Sequence, residues 1–248
     1  MLRFQLFGIP VGVHVTFLLI VVLGPRDSIQ SMVSWIVAAF VAIMLHEFGH
    51  ALTARAFGAE GVNVTLYALG GLTSYTSKRK LSHGRSFIIS AAGSGVGIIV
   101  GLALVGLERL DLFATWPAEV VNFLGYFVFV ALVWGVLNWI PILPLDGGHM
   151  AQHLIAIFSE EWAPLIAQIL TWIAVAIIVP VALINGYTFA AVIVVVFAFM
   201  GYREYQKQKK TPMTDDRRPT TDPEVPRPAP PAPPTPPPPP TEPPVFPI

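Results

Sequence analysis

His46-Glu47-Phe48-Gly49-His50 closes an apolar run that begins at Val33. On a helix, positions i and i+4 lie on one face about a turn apart, so both imidazoles reach a single metal ion. Glu47 projects beside that ion, where it can take a proton from a bound water. The chain has six histidines, and at this composition an H-E-x-x-H spacing arises by chance in roughly one chain in 200. The competing reading is a helix end whose histidines cap it and meet headgroups. Ionisable groups inside an apolar span are costly and mark sites, which favours the metal.

The surroundings of the motif are those of a membrane protein. The chain is 54% hydrophobic and 12% charged, against about 25% charged in globular domains. Net charge is zero, so no global field points to nucleic acid or another charged partner. Cysteine is absent, which leaves His, Asp and Glu to hold any metal. The sequence predicts an all-α polytopic membrane protein: about six transmembrane helices with a small membrane-associated β-hairpin or sheet. The helices are expected over about 11–24, 32–57, 86–107, 120–140, 162–182 and 187–203, within a membrane-embedded domain over 1–203. The first is short for a ~30 Å hydrocarbon core, and residues 1–9 before it read as a short strand or interfacial arm.

Between the helices lie the segments that carry chemistry. Two β-prone runs flank Gly70-Gly71 over 62–76, which reads as an ordinary loop or as a hairpin. A hairpin here would offer a strand edge to an extended peptide, with Gly70 and Gly71 as substrate-binding positions. The glycines from Gly93 to Gly101 read as close helix packing. Asn138-Trp-Ile-Pro-Ile-Leu-Pro-Leu-Asp146-Gly147-Gly148 stops regular helix at its prolines, and its glycines permit a sharp turn. Asp146 then comes from irregular backbone at membrane depth, or it caps a short amphipathic helix over 149–161. His149 and His153 repeat the i, i+4 spacing without a following glutamate; a solvated helix face is favoured over a second metal site. His14 reads as an interfacial or hydrogen-bonded histidine.

From Arg203 onward the composition changes. Residues 204–248 are expected to be a disordered cytoplasmic tail, basic and then proline-rich, serving as a semi-rigid spacer or as a docking segment for a proline-reading partner. Six crossings with the N-terminus inside put Arg3, Arg55, Lys78, Arg79, Lys80, Arg85 and the tail's basic residues in the cytoplasm, and only Arg26 and Arg109 outside.

His46, His50 and Asp146 would supply three ligands and leave a fourth position for water, as catalytic zinc sites do. H-E-F-G-H followed by N-W-I-P-I-L-P-L-D-G-G resembles the site-2 protease family of intramembrane zinc metalloproteases. Gly8–His14 and Leu69–Leu72 are similar to that family too, and the likeness spans residues 8–149. It implies one zinc ion per chain held by His46, His50 and Asp146, with Glu47 as catalytic base and Asn138 holding substrate or intermediate. The implied activity is hydrolysis of a peptide bond in or near the transmembrane segment of a membrane protein, as in regulated intramembrane proteolysis. The implied setting is the lipid bilayer of a cell membrane, bacterial by the chain's compactness. His149 departs from the pattern, since many members carry arginine there, and no stretch here is long enough for an inserted PDZ domain or a CBS pair. Two other classes share the ligands: a membrane zinc transporter, and a catalytically inactive relative that binds helices. The charge-free stretches Ser86–Leu107 and Trp162–Tyr202 argue against an ion path, and intact Glu47 argues against inactivity.

Overall fold

The computed structural model describes residues 1–68 and 70–210. Leu69 and the expected tail over 211–248, with its docking segment, lie outside the described residues.

The chain opens as a hairpin. Strands β1 (Leu2–Leu6) and β2 (Ile9–Val13) are antiparallel, joined through Phe7 and Gly8 with φ of 50° and 74°, as tight hairpin turns demand. In β2 every second side chain, Ile9 and Val11, is buried, the period-2 pattern of a half-buried strand. β2 runs parallel to β3 (Glu60–Tyr67), and β3 pairs antiparallel with β4 (Gly70–Thr76), giving one sheet in the order β1-β2-β3-β4. The hairpin expected over 62–76 is therefore present, but Gly70 and Gly71 open β4, paired with Tyr67 and Leu66, instead of separating the strands, and the strand at 9–13 replaces the start of the first expected helix. β4 is an edge strand.

A parallel pair needs a long crossover, and here it is the trip out and back along α1 (Ile29–Ala56). The outward leg differs from the helix expected over 11–24: it is a 3-10 helix, Val15–Leu23. It runs antiparallel to α1. Phe17 meets Phe40 with ring centroids 6.0 Å apart, the Trp35 indole N–H donates to the Ile20 carbonyl at 2.9 Å, and Gly24 lies against the Trp35 ring. Its two buried residues, Phe17 and Ile20, are three apart, which a three-residue turn keeps on one line. At about 2.0 Å per residue, nine residues reach ~18 Å, further than the same residues as α-helix. The stretched form is how so short a segment follows α1.

Among the described residues five helices are long and apolar enough to cross a membrane: α1, α2 (His83–Glu108), α3 (Ala118–Leu137), α5 (Ala163–Ile184) and, over Thr188–Lys207, α6 (Thr188–Lys210). Ser28 and Ser82 cap α1 and α2 through their hydroxyls, each satisfying a backbone N–H left free at a helix start. Small residues let α1, α2 and α3 approach closely: Ala38, Ala39 and Ala42 of α1 are buried, and Gly101 of α2 sits under Leu132 of α3. The last helix continues past the expected boundary at 203, so residues 204–210 are helical rather than tail.

The short helix α4 (Asp146–Ala156) starts three residues earlier than expected. Its glycines do not make a turn. A Cβ on Gly147 would collide with backbone at Trp139 and Ile140, and one on Gly148 with Ile142 and Leu143. They let the helix start press onto the irregular segment 139–145, which fixes where Asp146 stands.

Candidate metal centre

Two elements deliver the expected ligands to one point. His46 and His50 come from successive turns of α1, and Asp146 is the first residue of α4. His46 Nε2 is 3.1 Å from Asp146 Oδ2, His50 Nε2 is 3.2 Å from the same oxygen, and the two Nε2 atoms are 3.1 Å apart. Metal–ligand bonds of about 2.0–2.1 Å in tetrahedral geometry put neighbouring ligand atoms roughly 3.3 Å apart. The near-equilateral triangle of two imidazole nitrogens and one carboxylate oxygen therefore has the dimensions of three corners of a zinc site, and its donor set suits zinc.

Helix α2 supports the candidate ligands. His50 Nδ1–H donates to the Ile89 carbonyl of α2 at 2.7 Å, which leaves Nε2 with its lone pair toward the triangle. The ring lies flat on Gly93, where any side chain would overlap it. Ser94, fully buried, donates from its hydroxyl to Asp146 Oδ2 at 3.1 Å. Glycines that read as packing in the sequence thus form the wall behind a ligand. Gly49 plays the reciprocal part on α1, with its Cα pressed to the Ala92 carbonyl.

Glu47 is buried beside the triangle. The Thr73 hydroxyl of β4 donates to Glu47 Oε2 at 2.7 Å. Gly71 of the same strand lies against the glutamate's Cγ and carboxyl group, with no room for a side chain. Gly70, at φ 120°, packs on the Trp134 indole of α3. Asn138 caps the end of α3: its side-chain amide donates to the Trp134 carbonyl at 2.9 Å, and its own carbonyl accepts from the Gly147 N–H. It thereby joins the end of α3 to the start of α4.

The ligand triangle, Glu47, Gly71, Thr73 and Asn138 border a cavity of about 350 Å³, whose far wall includes Tyr67, Tyr75, Trp134, Phe197 and Met200. His149 and His153 line it as well, while His14 caps the 3-10 helix, with Nδ1 bonded to Thr16. Burial raises the Tyr67 and Tyr75 hydroxyls above their usual range, Tyr67 also through nearby Glu47. Burial lowers His149, and it brings His153 down to about 4 with help from His149 and His83. For Asp146 burial acts upward, but the two imidazoles outweigh it and hold the carboxyl below the carboxylate range. The cavity thus keeps α4's outer histidines neutral and Asp146 anionic at neutral pH.

Thr73, Ser94, Gly93 and the Ile89 carbonyl were not singled out by sequence reasoning. Thr73 carried the one available signal, since it stands two residues from Gly71 and so shares its face of the strand.

The chain is similar to known proteins. The profile of peptidase family M50 matches residues 105–181. A relative from Synechocystis sp. is 29% identical over 196 residues, 70% of this chain and 50% of its own. A zinc metalloprotease from Methanocaldococcus jannaschii is 29% identical over 169 residues, 64% of this chain and 45% of its own. The chain thus spans about half the length of these curated relatives. The solved site-2 protease from Methanocaldococcus jannaschii superposes with a TM-score of 0.54 at 25% identity, covering 88% of this chain and 99% of that one. In sequence and in fold this chain is thus similar to the site-2 protease family and to peptidase family M50.

Proposed function

We propose that this chain is a zinc-dependent endopeptidase that hydrolyses a peptide bond in or near the transmembrane segment of a membrane protein, as in regulated intramembrane proteolysis. The observation that carries the reading is the 3.1–3.2 Å triangle of His46, His50 and Asp146 with Glu47 buried beside it. Zinc, when bound by those three residues, supplies Lewis acidity toward water and a carbonyl oxygen. Glu47 is the group that takes the water's proton and hands it to the departing amine. Its carboxylate can do so because burial against Gly71 keeps bulk water from competing for it. Asn138, on the cavity wall, offers an amide to a substrate carbonyl.

A helical substrate presents carbonyls already satisfied by i→i+4 bonds, so it must unwind before attack. Edge strand β4 supplies unpaired backbone groups beside the cavity, and pairing with Gly70–Thr76 would replace some of the lost helix bonds. Gly70 and Gly71 then serve the substrate by keeping that edge free of side chains and close to Glu47.

The distribution of basic residues supports placing the N-terminus, Arg55, Lys78–Lys80 and Arg85 on the cytoplasmic side of a cell membrane. The partners are then the membrane-protein substrate and the surrounding lipid, with cleavage in the cytoplasmic half of the bilayer.

The test is cleavage of a reconstituted single-span substrate by wild type and Glu47→Gln, with zinc content measured on both. The reading expects the variant to bind zinc and cut nothing. Cleavage by Glu47→Gln at the wild-type rate would refute it, as would zinc binding that survives Asp146→Ala undiminished.

A further inference from the structure

The base has a partner that no part of the metal centre requires. Thr73 Oγ1 is 2.7 Å from Glu47 Oε2, and the same hydroxyl lies 3.1 Å from the Glu47 backbone carbonyl. A single hydroxyl proton can serve only one of them, and the shorter, charge-assisted contact is the stronger. The backbone carbonyl already has its helical partner.

We propose that Thr73 is the positioning residue for Glu47, holding one carboxylate oxygen from the edge strand so that the other is the oxygen offered to water. The inference rests on Glu47 being the general base. Two features make Thr73 the specific agent of this restraint. Gly71 abuts the glutamate's Cγ and carboxyl on the same strand face, so the carboxylate is bounded by backbone on one side and tied by a hydroxyl next to it. And Glu47 forms no other side-chain hydrogen bond among the described residues. A glutamate has three side-chain torsions, and freezing a flexible side chain costs conformational entropy. Without Thr73 the carboxylate would sample rotamers that point away from the water it must deprotonate. Burial restricts those rotamers but does not select among them.

The strand that carries Thr73 is also the strand whose free edge faces the cavity. Its register against β3, with Thr73 opposite Val64 and Gly71 opposite Leu66, therefore sets the height of the hydroxyl over the carboxylate. A slip of one residue would turn the hydroxyl to the other face of the sheet. Base placement and strand register are one constraint.

The experiment compares Thr73→Val, which keeps the shape and removes the donor, with Thr73→Ser, which keeps the donor. Each is purified with zinc and assayed on a synthetic transmembrane peptide carrying a fluorophore and quencher. For Thr73→Val we expect kcat to fall about tenfold to a hundredfold, the range for losing one hydrogen bond to a charged group. KM, zinc stoichiometry and melting temperature should stay at wild-type values, and Thr73→Ser should recover most of kcat. A second readout needs no turnover: the infrared difference between each protein and its Glu47→Gln counterpart isolates the Glu47 carboxylate stretch. That band should shift in Thr73→Val and hold in Thr73→Ser. Wild-type kcat in Thr73→Val overturns the proposal. So does equal loss in both variants, or a loss that tracks zinc content or melting temperature, since either marks a merely structural threonine. Full activity of Glu47→Gln in the wild-type background would instead overturn the function on which the proposal rests.

Discussion

Replacing Gly93 by alanine tests whether α2 is the wall that holds the metal centre in shape. A Cβ at position 93 would stand 2.6 Å from His50 Cδ2 and 2.5 Å from Cε1, against the 3.4 Å or more of ordinary contact. To clear the methyl the ring must retreat by about 0.8 Å at Cδ2. It cannot pivot freely, because Nδ1 is bonded to the Ile89 carbonyl one turn earlier on α2. Nor can the helices separate easily, because the Gly49 Cα of α1 already rests on the Ala92 carbonyl. Metal–ligand distances tolerate about 0.2 Å, so a shift several times larger weakens or removes one ligand of three. We expect zinc affinity to fall by about 100-fold or more, the upper range for disturbing a ligand's support, equivalent to about 2.7 kcal/mol. The control lies two residues further on. A Cβ on Gly95 meets nothing within 4 Å, so Gly95→Ala should bind zinc as wild type does and gain up to about 1 kcal/mol of helix stability. Competition titration with a chelating indicator, on protein in one detergent, reads both. Undiminished zinc affinity in Gly93→Ala would refute the reasoning, and so would equal losses in the two variants, since the second would show that any methyl on α2 is harmful.

Two further outcomes follow from the same geometry. Ser94→Ala removes the donor to Asp146 Oδ2 and should lower zinc affinity about tenfold in the same titration, with little change in melting temperature. The pH dependence concerns His153, whose folded-state pKa is about 4, against 6.5 when free, because of burial and then His149 and His83. The unfolded chain binds this proton first, so stability present at neutral pH declines as pH falls from about 6.5 toward 4. His153→Phe keeps an aromatic ring near His83 and removes that titration. Its melting temperature relative to wild type should therefore rise as pH falls through the window; a constant difference would count against it.

What could be read in the sequence was whatever breaks an apolar background. Two histidines and a glutamate in α1, and an aspartate between prolines and glycines, are conspicuous because lipid-facing helix has no use for them. The span lengths followed from hydropathy, and the hairpin at Gly70-Gly71 from β-prone runs around a turn signal. The first crossing did not, because Val15–Leu23 has the composition of any membrane segment. Only its contacts with Trp35 and Phe40 show why the three-residue turn is used. Nor did β2, since Ile9-Pro-Val-Gly-Val is too short for its alternation to outweigh the apolar run that follows. The supporting residues stayed hidden for a different reason. Thr73 in a strand and Ser94 in a stripe of small residues are ordinary where they stand along the chain. Their roles depend on which residue of another element they face.

The buried polar side chains of the described region are His46, Glu47, His50, Ser94, Asn138, Gln168 and Thr171. In an apolar surrounding each such group costs free energy unless it is bonded, so their distribution shows where the fold spends its stability. Four of the seven stand at the metal centre, and two others fasten the segment that brings Asp146 to it. The Asn138 side-chain amide donates to the Trp134 carbonyl at the end of α3, while its backbone carbonyl accepts from the Gly147 N–H; the Thr171 hydroxyl of α5 accepts from the Leu143 N–H at 3.1 Å. The irregular stretch 139–145 is thus held at two points by two different helices, while Gly148 presses it from α4. Asp146 is thus placed by α3 and α5 through that stretch and by α2 through the Ser94 hydroxyl. The histidine positions belong to α1 and α2 alone. Helix α2 is therefore the element common to both sides of the triangle, since it bonds His50 through the Ile89 carbonyl and Asp146 through Ser94.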